Sequence, residues 1–195
     1  MTLPRLPLLA AQARVRTPLG PVLLAATPRG LAGLWFDGQA HHPGPLAAPV
    51  DAGHPVLAQA LAELDAYWRC GTAGFATALD AGGTPFQQRV WRALGGTAAG
   101  RTTSYGALAA ALGCPAAVRA VAAALGRNPV AIVVPCHRVV GGDGALRGYA
   151  GGLERKRALL AREAAAREAA AHEAAALPRA GTVAAGLAGA MAARA

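Results

Sequence analysis

In Pro135-Cys136-His137-Arg138 a thiol stands directly beside an imidazole and a guanidinium, at the end of the apolar run Val130–Val134. A free thiol titrates near ~8.5 and is mostly protonated at neutral pH, yet the thiolate is the species that attacks. His137 can take that proton, directly or through a water, and the imidazolium so formed needs a carboxylate to orient and stabilise it. In the segment that reads as the last helix the first carboxylates are Glu154 and Glu163. A lone cysteine is more often an inert filler of a core, but the neighbours of Cys136 tip it toward a nucleophile. Cys70 and Cys114 have no adjacent base and read as structural or incidental. Gly148-Tyr149-Ala150-Gly151-Gly152 lets backbone approach a flat ligand, or is an ordinary turn, and spacing alone leaves both open.

These groups need elements to position them. Ala13–Thr17, Pro21–Thr27 and Leu31–Asp37 are short apolar runs broken by Pro18–Gly20 and Pro28–Gly30, which predicts three strands. Residues 39–53 read as a loop, and Val56, Leu57, Ala60, Leu61, Leu64 and Trp68 recur at helical spacing within 54–69. Ala81–Gly83 reads as a linker. Thr84, Pro85 and Gln87 then form an N-cap, a first-turn proline and a capping-box partner. Ser104–Leu112, stopped by Gly113, and Ala116–Leu125, stopped by Gly126, make a helix-turn-helix pattern, one that many helical domains share. Val130–Val134 reads as a buried strand, Gly141–Gly152 as a glycine-rich loop, and the last helix begins near Leu153. The organisation expected is 1–82, 83–163 and an Ala-rich tail, 164–195. In that tail Arg-Glu-Ala-Ala-Ala units repeat with a period of five, which keeps no helical face apolar; Leu177-Pro178 should end the helix, with disorder beyond.

The net charge of +9 is unevenly placed. Residues 1–83 carry five basic and five acidic side chains, 84–163 eleven and three (net +8), and 164–195 three and two (net +1). A localised basic excess is the footprint expected for a polyanion, although arginine-biased coding would also enrich the chain, in which Lys156 is the single lysine. No apolar stretch is long enough for a membrane span, Met1–Leu9 makes a poor secretory signal, and three cysteines without a C-x-x-C pair fit a reducing compartment. The expected location is therefore cytoplasmic, with the nucleoid.

Val134-Pro135-Cys136-His137-Arg138-Val139-Val140, then Gly148–Gly152 and Leu153-Glu154-Arg155-Lys156, closely resemble the methylated-DNA–protein-cysteine methyltransferases, the O6-alkylguanine-DNA alkyltransferases. Gly83–Trp91, Ser104–Ala109, Arg119-Ala120-Val121 and Arg127-Asn128-Pro129 are similar to that family in the same order, so the likeness covers about 83–163 and more weakly 13–38. The resemblance implies an α+β fold: a small ribonuclease H-like sheet-plus-helix domain, then a mostly helical, winged-helix-like DNA-binding domain carrying the reactive cysteine. It implies Cys136 as alkyl acceptor, with His137 and Glu163 as the relay that activates it through a water and Asn128 organising the turn beneath. It implies Tyr105 as the phenol that protonates the departing guanine. Arg119 resembles the finger that enters the base stack, with Arg101, Ser104 and Ala120 on the DNA side. Tyr149, Ala150, Gly151, Val134 and Pro135 resemble the walls of a base pocket.

The implied chemistry is coherent. An alkyl carbon on O6 lies inside a base pair, so the nucleotide must leave the stack before sulfur can reach it. Displacement at that carbon suits a soft nucleophile, and a positioned phenol spares the leaving group a negative charge. The thioether product offers water nothing to cleave, which predicts one turnover per molecule. The expected partner is duplex DNA carrying O6-alkylguanine or O4-alkylthymine, met by a monomer that needs no cofactor and no metal; His41-His42 read as solvated. The chain departs from the common pattern at Ala122 for glycine and at Thr97-Ala98-Ala99, which touches docking rather than chemistry, and at Ala150 for the serine of some members, which leaves one fewer hydroxyl for the base. A non-catalytic module that binds alkylated bases, and an unrelated cysteine hydrolase, are the competing readings.

Overall fold

The computed structural model describes residues 8–72 and 74–176, so the expected end of the tail, 177–195, lies outside the described residues. Strands β1 (Ala11–Thr17), β2 (Gly20–Thr27) and β3 (Gly30–Phe36) form an antiparallel sheet in the order β1-β2-β3. Helix α1 (Pro55–Cys70) covers one face, burying Leu57, Ala60, Leu64 and Tyr67 against Leu24, Leu34 and Phe36. On the other face Leu23, Ala25 and Trp35 form a smaller cluster under Leu9 and Leu46. With both faces covered, β3 is buried throughout and reads as a continuous apolar run instead of an alternating one. His42, expected to be solvated, belongs to this second layer: it meets Trp35 edge-on, and its Nδ1 accepts the Gly44 N–H at 3.0 Å.

β3 ties the sheet to the rest of the chain. Leu31 exchanges backbone hydrogen bonds with Ala78 and Asp80, and Leu34 with Pro129 and Ala131. The turn carrying Cys136 is thus registered directly on the first sheet. One core cluster runs from β1–β3 and α1 through Val90, Trp91, Leu108, Val121 and Leu159.

Helix α2 (Pro85–Leu94) starts as the residue pattern predicts, with both capping-box hydrogen bonds between Thr84 and Gln87 formed. Ser104 caps α3 (Tyr105–Ala111), its hydroxyl accepting the Ala107 N–H. After Gly113 and one 3-10 turn, Pro115–Ala117, helix α4 (Val118–Gly126) follows. β4 (Thr103–Ser104) and β5 (Val139–Val140) pair in parallel.

Val130–Val134 is not a strand. Only Val130 bridges to Leu34; the Val134 N–H then bonds back to the Val130 carbonyl, and Ile132 adopts φ 71°. Left-handed backbone at a β-branched residue is strained. Burial of Ile132 and the Asn128 side chain, which bonds the backbone of Val130 and Val134, hold it there. The apolar run marked burial correctly and conformation wrongly.

Helix α5 (Leu153–Ala176) buries Lys156, Leu159 and Glu163 on one stripe. Its repeat region is almost entirely exposed from Arg167 to Ala175, as a five-residue period requires.

Candidate active site

Cys136 opens a single 3-10 turn, Cys136–Arg138, and is 7 % exposed. Its thiol borders a cavity of about 460 Å³ whose walls include Tyr105, Arg119, Gly148, Tyr149 and Ala150. Asn128 Nδ2 donates to Cys136 Sγ at 3.1 Å and to the Val134 carbonyl at 2.9 Å, while its Oδ1 accepts the Val130 N–H at 3.0 Å. One side chain thereby shapes the turn and supplies a donor to sulfur.

His137 and Glu163 are fully buried and meet at 2.8 Å between Nε2 and Oε1. An ionised carboxylate only accepts, so Nε2 carries the proton and Nδ1 keeps the lone pair that can receive another. Arg138 grips the same carboxylate with two prongs, Nε to Oε2 and Nη2 to Oε1, both at 2.9 Å. The Gly100 N–H reaches Oε2 at 3.1 Å, and the Tyr67 hydroxyl reaches Oε1 at 3.0 Å. Gly100 (φ 70°) can be only glycine here, because a Cβ would lie 2.9 Å from the Glu163 carbonyl oxygen. Burial would raise the Glu163 carboxyl, but the His137, Arg138 and other donors outweigh it and hold the group down at about 2.

Burial acts on the other two members in the opposite sense to activation by charge. It pushes the Cys136 thiol up despite Asn128, Lys156 and the backbone N–H donors, and it pushes His137 down despite Glu163. The resting pair is therefore a neutral thiol and a neutral imidazole. Desolvation disfavours both charges until a reacting carbon stabilises the sulfur.

Lys156 fixes the opposite wall. Its fully buried Nζ donates to the carbonyls of Val139 and Arg147, both at 2.6 Å, and of Gly148 at 3.2 Å. Burial lowers this ammonium to about 8. Tyr105 OH also donates to the Arg147 carbonyl at 2.8 Å, and burial raises that phenol, so it keeps its proton at neutral pH. Gly151 packs under Tyr149, where a Cβ would fall 2.6 Å from the ring. We expect Lys156→Met to cost about 2 kcal/mol, because the buried Val139 carbonyl and the part-buried carbonyls of Arg147 and Gly148 lose a charged donor while volume is kept. Urea unfolding measures this, and an unchanged midpoint would rule out the strut.

The structure brings together Cys136, His137, Glu163, Asn128, Tyr105, Tyr149 and Ala150. Arg119 and Ala120 are exposed on α4, with Arg119 at the cavity mouth, and Arg101 is exposed just before β4. Val134 and Pro135, read as pocket walls, line a separate groove with Trp91 and Leu79, although the Val134 carbonyl shares the Asn128 Nδ2 donor with the thiol. Tyr67, Arg138, Gly100 and Lys156 escaped the sequence reading as site residues. For Lys156 a signal existed: Lys156 and Glu163 lie seven residues apart on the Leu159 stripe, polar groups on a buried face. Among the described residues no cluster of His, Cys, Asp and Glu is suited to a metal, and no helix is long and apolar enough to cross a membrane.

Comparison with known proteins points the same way. The family model described as 6-O-methylguanine DNA methyltransferase, DNA binding domain, matches residues 85–165. A methylated-DNA–protein-cysteine methyltransferase of Mycobacterium leprae (strain TN) is 46% identical over 147 residues, spanning 75% of this chain and 88% of its own. One from Methanosarcina barkeri is 40% identical over 152 residues, spanning 76% and 94%. The crystal structure of Mycobacterium tuberculosis OGT in complex with DNA superposes with a TM-score of 0.74 at 41% identity, covering 80% of this chain and 94% of that one.

Proposed function

This chain belongs to the methylated-DNA–protein-cysteine methyltransferases, and from that membership we propose that it repairs DNA by moving the alkyl group of O6-alkylguanine onto Cys136, once per molecule. The observation that carries this reading is a buried Cys136 thiol that borders a cavity roomy enough for a base and is backed by the His137–Glu163 pair. His137 Nδ1, which has no hydrogen-bond partner among the described residues, takes the thiol proton through a bridging water while the sulfur electron pair forms the S–C bond. The C–O6 bond breaks toward guanine, and Tyr105, already hydrogen-bonded at the cavity edge, gives the departing base a proton. Exchange with solvent returns His137 and Tyr105 to their starting states, and the thioether remains.

The phenol is a weak acid that yields its proton only as negative charge grows on the base. Glu163 stays ionised and stabilises the imidazolium. Arg119 takes the place of the extruded nucleotide, with Arg101, Ser104 and Ala120 along the backbone. Phosphate contacts of this kind supply affinity without sequence preference. Tyr149, Ala150 and Gly151 face the flipped base. O4-alkylthymine presents a similar alkoxy carbon and is a second substrate. The protein acts as a monomer in the cytoplasm. Residues 1–82 form the ribonuclease H-like part and 83–163 the winged-helix-like part, in which α3 and α4 are the helix pair.

Incubation with a duplex carrying labelled O6-methylguanine, followed by digestion and mass measurement, is expected to place one methyl group on the Cys136 peptide per protein. DNA binding with an unmodified Cys136 would favour the non-catalytic module instead.

A further inference from the structure

The carboxylate that holds His137 is shared with a residue from the other end of the chain. Tyr67 on α1 is fully buried, and its hydroxyl donates to Glu163 Oε1, the oxygen that accepts from His137 Nε2. Packing alone does not call for that hydroxyl. The ring fills the α1 stripe and meets Trp68 and Phe75 at centroid distances of 5.3 and 5.8 Å, as a phenylalanine would. A buried phenol needs a partner, and the one it has is the reactive centre's carboxylate.

We infer that Tyr67 is a positioning residue for the alkyl transfer, sharing Glu163 Oε1 with His137 and thereby setting how strongly the imidazole draws the Cys136 proton. This rests on Cys136 being the acceptor. Tyr67 is not needed to keep Glu163 in place, since Arg138 and the Gly100 N–H clamp both carboxylate oxygens. What its hydroxyl changes is charge: each donor on Oε1 withdraws electron density that would otherwise pull on the His137 Nε2–H. Burial and the Glu163 carboxylate both keep the phenol protonated, so it is a permanent donor. The other charged or titratable groups around the pair are Arg138, Lys156, Arg162, Tyr149 and Cys136, and all of them remain when the hydroxyl is removed.

Tyr67→Phe therefore makes His137 more basic and the thiol easier to deprotonate. The test is iodoacetamide alkylation of the Cys136 peptide against pH, read by mass, with the His137 imidazole titration followed by NMR. We expect alkylation at neutral pH to rise about threefold to tenfold, a fraction of the weight of one hydrogen bond to a charged group because the effect reaches sulfur through Glu163 and His137, and the His137 titration to move upward. A loss of packing would also relieve the burial of Cys136 and His137 and raise both readouts, so 3-fluorotyrosine at the same position, which keeps the ring and its contacts, must move them the opposite way. An unmoved titration, or a fall in alkylation, overturns the inference. Should Tyr67→Phe fail to fold, 3-fluorotyrosine at position 67, a stronger donor of nearly the same shape, must shift both readouts the opposite way, and no shift overturns the inference equally. Neither readout uses DNA, so failure here is separate from failure of Cys136 to accept methyl from a duplex.

Discussion

Glu163→Ala is expected to cost about 4 kcal/mol of folding stability and to abolish efficient alkyl transfer. The loss follows from what remains: Arg138, with side-chain exposure of only 11 %, would face no anion, and the donors of Tyr67, His137 and Gly100 would point at a void. Breaking a buried pair from one side is costly because the surviving charge stays desolvated. Glu163→Gln keeps the volume and one acceptor oxygen, so it should fold but transfer more slowly, having lost the charge that stabilises the imidazolium.

The same carboxylate makes a pH prediction. Its folded value of about 2 lies below the ordinary 4.5. A depressed carboxyl contributes stability that is fully present above 4.5 and is lost as pH falls toward 2. The difference, 4.5 − 2, or about 2.5, corresponds to roughly 3 kcal/mol for this fully buried group. His137, held neutral by burial, adds a loss of the same sign at acidic pH, because unfolding lets it charge. Urea midpoints measured from pH 5 to pH 2 should fall more steeply for wild type than for Glu163→Gln, which shares every other carboxylate. Parallel curves would refute the assignment.

Cys136→Ala is expected to eliminate transfer while leaving DNA affinity within about twofold, since the proposed function draws affinity from phosphate contacts away from the thiol. Stability should change little, by about 1 kcal/mol, for a small side chain whose partner Asn128 Nδ2 keeps the Val134 carbonyl. Transfer assays and gel mobility on the same labelled duplex separate the two effects. Residual transfer would point to Cys70 or Cys114 as an acceptor, and lost binding would mean that the turn itself had moved.

The reactive tetrapeptide, the capping box at Thr84, the break at Gly113 and the onset of α5 at Leu153 could all be read from the residues. Each depends on neighbours within a turn or two, where dihedral preference and local hydrogen bonds decide the outcome. The charge step between residues 1–83 and 84–163 is likewise a property of the chain itself.

Distant packing decided the rest. Val130–Val134 has strand composition, yet Asn128 and the edge of β3 bend it into the turn that presents Cys136, while Val134 and Pro135 line another groove. Tyr67 lies 96 residues from Glu163, and Gly100 lies 63 away. No local pattern announces such partners, because they meet only when α1, α5 and the 3-10 turn close on one core. Residue types along the chain determined which chemistry is available. Burial in the folded core determined that thiol and imidazole rest neutral, since desolvation is a property of the surroundings and not of the sequence that supplies them.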